Sequence, residues 1–576
     1  MKHHTQNIKN KLRIILLVFL CTTFIICIRL FNLQIRSFDK FQLKSKKNFL
    51  RLEKVYPKRG NILDSTGKLL ATNRPIHNLY WQGSGTYNLS EEKINILKYI
   101  GQIINKNIIK NKKLLAQIKH AERFHKKTLI ASDINFDQLS KIEEQFPYTN
   151  AISISTSFKR FYPYRSLASH ILGYLGRINV ETTGKMGLEK MFEDMLKGKS
   201  GSIIKTINSF GKKLSETTIE NALSGRDIKI TLNINMQRIV EKIFPKNEIG
   251  TMIVMNPQNG AIVALVSQPN FDPNIFLQPI LKNDWEKLQE NNPFLNRAFD
   301  ACYPPGSIFK LVTTSAALEH NIIDPDQNWD CKGYVYFGGR KYLCHKLDGH
   351  GELTTSQALE QSCNTFFYDI AKKIDIDLLA DYAHRFGLGK KTSIIFPEKN
   401  GIVPSRKWKF ENKGEQWWPG ETLSTSIGQS FLLTTPIQVA CMVSSIFTGY
   451  LVTPRILEDE PISMIELPIS ETTLEFLRKS MKMVAQTGTG RNISRIKNLE
   501  IYMKTSTAQT SALYKRKFGH IYREHRWLVA YFQYKDHDPL TLVILIEHSE
   551  SARAAKNTAR KFLIAYKLAA DRNMIG

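Results

Sequence analysis

Residues 14–28 read Ile-Ile-Leu-Leu-Val-Phe-Leu-Cys-Thr-Thr-Phe-Ile-Ile-Cys-Ile, with no charged side chain among them. In hydrocarbon every backbone polar group must bond within its own segment, so a lone run of this kind is confined to a helix. A bilayer span takes about 20 residues. Leu30 and Phe31 extend the run, and Arg29 between can snorkel to the interface. Residues 1–13 carry Lys2, Lys9, Lys11 and Arg13 and no acid, and Arg29-Leu30-Phe31-Asn32 offers no small-x-small cleavage site. The pattern predicts a signal anchor: leader 1–13 in the cytoplasm, membrane helix 14–31, and everything from residue 32 onward exported.

The 576 residues are enough for two to four domains. An apolar fraction of 42% with 23% charged residues excludes a disordered or collagen-like chain. Lys and Arg exceed Asp and Glu by 81 − 52 = 29, which favours an anionic neighbour: a membrane surface, an anionic polymer or nucleic acid. Export of the bulk of the chain argues against nucleic acid, and no zinc-finger, helix-turn-helix or RNA-binding signature is found.

Residues 35–245 are rich in Lys, Ile and Asn and punctuated by two glycine-bearing segments, Pro57–Gly67 and Gly184–Gly201. Between them Ser90–His125 reads as helical and Lys-rich. No set of catalytic residue types concentrates there, so the region reads as an α+β module for contacts. Composition changes near residue 228. Asp227–Leu232, Gly250–Met255 and Gly260–Val266 are strand-like, the last two joined by Asn256-Pro-Gln-Asn-Gly. Asn235–Ile243 and Ala552–Asp571 read as helices, and Trp527–Phe532 and Leu540–Ile546 as a hairpin pair. Strands at both ends with helices between predict one sheet completed by the two ends of the domain.

Ser307 and Lys310 stand at i, i+3 in Tyr303-Pro-Pro-Gly-Ser-Ile-Phe-Lys310. On a helix they share a face. The Pro-Pro-Gly turn puts Ser307 at a helix N-terminus, where the dipole favours developing negative charge. An amine one turn away can take the hydroxyl proton when neutral, a state that burial and a second cation promote. A chain this long holds several S-x-x-K matches by chance, so this motif alone decides nothing. It is followed after 55 residues by Ser362-Cys363-Asn364, and 197 residues after Ser307 by Lys504-Thr505-Ser506-Thr507 closing a strand. These three elements in this order mark serine acyl-transfer enzymes that bind β-lactams.

On these motifs the chain resembles the class B penicillin-binding proteins. Nearly the whole length shares in the likeness: Arg59-Gly60, Asp64 and Gly67; Gly187-Leu188-Glu189 and Gly198–Gly201; Ser267–Asn274; Asn296-Arg297-Ala298; and Ile427-Gly428-Gln429 through Gln438. Trp417-Trp-Pro-Gly-Glu-Thr resembles the elongation type more than the septal type. The resemblance implies a multidomain α+β protein: a single N-terminal transmembrane helix, an elongated α+β pedestal of the dimerisation type over 32–227, and a transpeptidase domain over 228–576 with a central antiparallel sheet flanked by helices. It implies a peptidoglycan D,D-transpeptidase of the cell inner membrane with its catalytic domain in the periplasm. Stem peptides ending in D-alanyl-D-alanine and β-lactams would be its ligands; a membrane glycosyltransferase and rod-shape proteins would be its partners. Ser307 would be the nucleophile and Lys310 the base. Ser362 would relay a proton to the leaving D-alanine, and Asn364 would orient Lys310 and the substrate amide. Lys504, Thr505 and Thr507 would bind the terminal carboxylate, and the N–H groups of Ser307 and Thr507 would form the oxyanion hole. The chemistry itself needs no cofactor.

The family has Gly where this chain has Ser506. A Cβ there is either tolerated or narrows the site at the strand edge. If the site contributes little, the chain acts instead as a scaffold that activates a glycan-polymerising partner. Cys331, Cys344, His350 and Cys363 are spaced Cys-x12-Cys-x5-His-x12-Cys beside the second motif. A Cys3His set suits structural zinc, with His345 and Asp348 as substitute ligands. Some elongation-type relatives carry a metal near this place. A Cys331–Cys344 disulfide and unlinked thiols remain the alternatives. His525 and Trp527 read as core residues.

Overall fold

A computed structural model describes residues 2–178, 181–208, 213–491, 493, 495–510 and 519–575. Residues 2–31 form one helix, Lys2–Phe31, and the stretch Lys11–Arg36 is long and apolar enough to cross a membrane, with none of it buried in protein. The expected span 14–31 lies inside it.

The composition change near residue 228 suggests a single boundary, but the two compact units interleave. One contains residues 1–59, 73–159 and 197–225; the other contains 60–72, 160–196 and 226–576. In the first unit, Leu50–Val55, Gly201–Ile207 and Lys213–Glu220 form an antiparallel three-stranded sheet. The Lys-rich stretch expected to be helical is two helices, Glu91–Ile103 and Lys112–Arg123, because Asn111 caps a new start by accepting from Leu114 N. Leu97, Ile100, Ile118, Ile142 and Trp81 form this unit's core. Within it Glu122 is buried, accepting from Trp81 Nε1 at 2.8 Å, Lys93 Nζ at 2.6 Å, Thr86 Oγ1 at 2.7 Å and from Ser84. Burial works against its charge, but these donors prevail and hold the carboxyl down at about 2.

The second unit is built on a five-stranded antiparallel sheet in the order Ile262–Gln268, Gly250–Met255, Leu540–Ile546, His525–Tyr534, Leu499–Ala508. The two ends of the domain complete it, as the strand pattern predicts. Alternation along the strands feeds two cores. Trp527, Val529, Val543 and Leu545 face the helix Pro436–Thr448 and its neighbours. Leu528, Ala530, Phe532, Leu542 and Ile544 face the C-terminal helix Ala554–Asp571 and the helix Ile234–Ile243. A sheet covered on both faces reads as a continuous apolar run. Its last strand, Leu499–Ala508, is an edge, so its outer backbone groups are open to another chain.

The segments 60–72 and 160–196 are tied to one another, and through Asp64 to Ile234 of this unit, by buried polar groups. Asp64 accepts from Thr66 N, Lys68 N and Ile234 N at 2.8–3.0 Å. Arg160 donates to Glu189 and to Gly60 O, each at 2.6 Å, and Tyr162 OH donates to the same Glu189 oxygen.

Candidate active site

The nucleophile candidate follows a turn whose residues 303–306 are each held by hydrogen bonds. Pro304 and Pro305 lack N–H groups, so this stretch offers carbonyls alone. Trp527 Nε1 donates to Pro304 O at 3.1 Å and Ser506 Oγ to Pro305 O at 2.9 Å. Gly306 N donates to Gly428 O at 2.9 Å, and Tyr303 exchanges backbone bonds with Thr434. Gly306 has φ +54°, and a Cβ there would meet Ser506 Oγ at 2.3 Å, which explains the glycine. Ser307 lies in a 3-10 turn, Gly306–Ile308, that leads into the helix Lys310–Glu319; it is not the first residue of a regular helix.

Lys310 is fully buried. Its Nζ donates to Ser362 O at 2.8 Å, Asn364 Oδ1 at 2.8 Å and Ser362 Oγ at 3.3 Å, and it lies 5.1 Å from the centre of the Phe367 ring. No hydrogen bond joins it to Ser307 among the described residues. Burial lowers its ammonium to about 8, against an opposing pull from the Cys363 and Cys344 thiols. Of the two causes anticipated from sequence, burial and a second cation, desolvation is the main one at Lys310. Ser362 presents its carbonyl and hydroxyl together because its backbone is left-handed, φ +56°, a strained state for a residue with a Cβ.

On the motif strand, alternation puts Lys504 and Ser506 on one face and Thr505 and Thr507 on the other. Lys504 is fully buried, and its Nζ has no hydrogen bond among the described residues. Burial and the Lys310 charge push it well below its ordinary value. Thr507 is exposed and accepts from Arg526 Nη1 at 2.9 Å. The Thr505 hydroxyl is bonded to Thr489 Oγ1 at 2.8 Å. Ser506 does not project over the strand edge; its hydroxyl is engaged with Pro305 O. Thr489 and Arg526 join the site without a motif to announce them, whereas Gly428 lies in the Ile427-Gly428-Gln429 segment already noted. Trp527 is a core residue, as expected, but it also holds the nucleophile turn.

Cys331, Cys344, His350 and Cys363 place one ligand atom each within 4.8 Å of all the others. His350 Nδ1 is 3.4 Å from Cys331 Sγ and 3.6 Å from Cys344 Sγ, and Cys344 and Cys363 sulfurs are 4.0 Å apart. Three thiols and an imidazole whose charged form is disfavoured by burial fit a tetrahedral soft cation. The cysteines are free, with no Cys331–Cys344 disulfide among the described residues. His345 and Asp348 stay outside the group. The sulfurs also touch the second motif: Asn364 N donates to Cys344 Sγ at 3.4 Å, and Thr365 Oγ1 to Cys331 Sγ at 3.1 Å.

The penicillin-binding protein transpeptidase domain matches residues 250–567, and the penicillin-binding protein dimerisation domain matches residues 54–230. The peptidoglycan D,D-transpeptidase MrdA of Acinetobacter baumannii is 30% identical, over 87% of this chain and 78% of its own length. The protein of the same name from Escherichia coli K12 is 27% identical, over 96% of this chain and 93% of its own. Among solved structures, the complex between PBP2 and MreC from Helicobacter pylori contains a chain similar to this one at 27% identity. That match has a TM-score of 0.76 and covers 91% of this chain and 100% of that one. A chain in a peptidoglycan synthase complex described for its coordination of polymerization and crosslinking matches with a TM-score of 0.74 at 27% identity. It covers 96% of this chain and 98% of that one. With its three motifs converging on one buried lysine and its length aligned to both domain models, the chain belongs to the class B penicillin-binding proteins, on their PBP2-type branch.

Proposed function

We propose that the chain crosslinks peptidoglycan stem peptides during cell elongation through an ester on Ser307. The observation that carries this reading is the buried Lys310 amine. It is one turn from Ser307, is hydrogen-bonded to Ser362 and Asn364, and is held to about 8. Neutral Lys310 takes the Ser307 proton as Oγ bonds to the carbonyl carbon between the two terminal D-alanines. Negative charge gathers on the carbonyl oxygen, facing the N–H groups of Ser307 and Thr507. A preorganised donor of this kind is worth about 3 kcal/mol of barrier. The C–N bond then breaks, and the proton passes from Lys310 through Ser362 to the departing D-alanine amine. An amine of a neighbouring stem attacks the ester, forms the crosslinking amide and returns a proton to Ser307; water in its place gives hydrolysis. Lys504, Thr505 and Thr507 bind the terminal carboxylate. The bound anion would pair with the buried Lys504 amine, whose Nζ has no hydrogen bond among the described residues, and would favour its charged form. A β-lactam is attacked in the same way.

Zinc held by Cys331, Cys344, His350 and Cys363 would supply a structural crosslink. The contacts from Cys344 and Cys331 to the start of the helix Asn364–Lys373 would then fix Asn364 against Lys310. The apolar helix anchors the catalytic unit on the outer side of the cell inner membrane. The relatives solved with MreC and within a synthase complex support a rod-shape protein and a glycan polymerase as partners.

Fluorescent penicillin is expected to label the protein covalently, with the adduct mapped to Ser307. Undiminished labelling of Ser307→Ala refutes the assignment.

A further inference from the structure

The residue that departs from the family pattern, Ser506, is buried and turned toward the Ser307 turn. It is 7% exposed, and among the described residues its hydroxyl bonds to the carbonyl two residues before the nucleophile. In the sheet register Ser506 lies directly opposite Trp527, and Trp527 Nε1 donates to the preceding carbonyl. A cross-strand pair thus grips two consecutive carbonyls, Pro304 O and Pro305 O, on a proline stretch that cannot be held through N–H groups. From the other side the Gly428 and Thr434 carbonyls hold the N–H groups of Gly306 and Tyr303. The hydroxymethyl group of Ser506 also fills the space over Gly306, where a Cβ would stand 2.3 Å from it. The strand that carries Lys504 and Thr507 and the turn that carries Ser307 are therefore joined by a specific bond, which a glycine at 506 could not make.

We propose that Ser506, with Trp527 as its partner, is a positioning residue for acylation: it sets the spacing between the Ser307 turn and the carboxylate-binding strand. The proposal rests on Ser307 being the nucleophile. Substrate docks through Thr507 and Lys504 whether or not the clamp is closed. Attack, however, requires Oγ at near-contact distance from the carbonyl carbon, and a displacement of about 1 Å costs up to 100-fold. Losing the clamp should therefore slow the chemical step and leave binding nearly unchanged.

The test is acylation of the full-length protein by fluorescent penicillin, with the observed rate followed against drug concentration so that the limiting rate and the half-saturating concentration separate. Ser506→Ala is expected to lower the limiting rate roughly tenfold and to move half-saturation less than about twofold. Trp527→Phe, which keeps the ring and removes the donor, is expected to behave alike, and the double variant to lose less than the product of the two. Wild-type limiting rates in both single variants overturn the proposal, as does a loss confined to half-saturation or one that only follows a fall in Tm. Ser307→Ala in the same assay keeps the two readings apart. If it still labels, the nucleophile assignment fails; if it is silent while Ser506→Ala is unchanged, only the clamp fails.

Discussion

As the proposed base, Lys310 would make the rate of acylation a direct readout of burial. An ordinary lysine, at 10.5, is neutral in only about 3 of 10,000 molecules at pH 7, whereas one held at about 8 is neutral in about one tenth, a gain of roughly 300-fold in reactive base. The sign is fixed by the role: the base must be neutral, so raising pH through the depressed value increases the rate. The second-order rate of penicillin acylation should climb about tenfold from pH 6 to 7, about fivefold from pH 7 to 8, and then level off, with its midpoint near 8. The penicillin carboxylate stays ionised throughout, so the profile belongs to the enzyme. Lys310→Arg, which has no neutral form in this range, should lose roughly 100- to 10,000-fold at every pH. Rates can be read by quenching labelling reactions and quantifying bound fluorophore. A flat profile from pH 6 to 8, or one that keeps rising to 10.5, would refute the argument, because either means that the titrating base is not this amine.

Lys504→Met should stabilise the fold while impairing the site: removing a buried amine that has no hydrogen bond among the described residues relieves about 1–3 kcal/mol, seen as a higher urea midpoint, and penicillin capture should fall at least about tenfold. Cys344→Ser should reduce bound zinc from about one ion per chain to near none by metal analysis, and should slow acylation because Asn364 loses its sulfur contact. In the first unit, Glu122→Ala should cost about 1–3 kcal/mol in denaturant unfolding, since it leaves the buried Trp81 Nε1 without its acceptor and the partly exposed Lys93 without its carboxylate. Because the folded carboxyl is held at about 2, below its ordinary 4.5, the stabilisation from Glu122 is fully present above pH 4.5 and should disappear as pH falls toward 2.

The parts of the site that could be read from sequence are those fixed by spacing along one element or by a short motif. Ser307 and Lys310 are a helical turn apart, and Ser362 and Asn364 flank one residue. The motif strand shows its alternation in Lys504-Thr505-Ser506-Thr507. What spacing cannot show is which group across the fold each side chain meets. Thr505 and Thr507 are equivalent in the strand pattern, yet the first is bonded to Thr489 and the second to Arg526, because different segments pass over them. Ser506 looks like an obstruction while the strand is considered alone, and becomes a donor only once the Pro304-Pro305 carbonyls are beside it. The four metal-ligand candidates are similar. Their spacing matches no compact finger, and it is the pairing of Asn328–Cys331 with Gly351–Thr354 that returns the chain and brings Cys331 to His350.

The two domain matches, 54–230 and 250–567, change over close to residue 228, but the interleaving of the compact units is not legible in sequence, for a physical reason of the same kind. A composition change marks where surface type or packing changes along the chain, and the catalytic unit acquires two pieces, 60–72 and 160–196, from inside a Lys-rich stretch of the opposite character. What marks them is polar: Asp64 bonded to the backbone of Ile234, and Arg160 to both Glu189 and Gly60 O. These groups are fully or almost fully buried, so each would be left with an unpaired charge or amide if its partner were cut away. Removal of residues 35–245 therefore does not test a contact module apart from an enzyme. It strips the catalytic unit of Asp64, Arg160 and Glu189 at once, and loss of cell shape in such a deletion would follow from an unfolded transpeptidase as readily as from a missing scaffold. Point substitutions that keep these pairs intact are what can separate catalysis from assembly: Ser307→Ala in the one unit, exposed positions of the other.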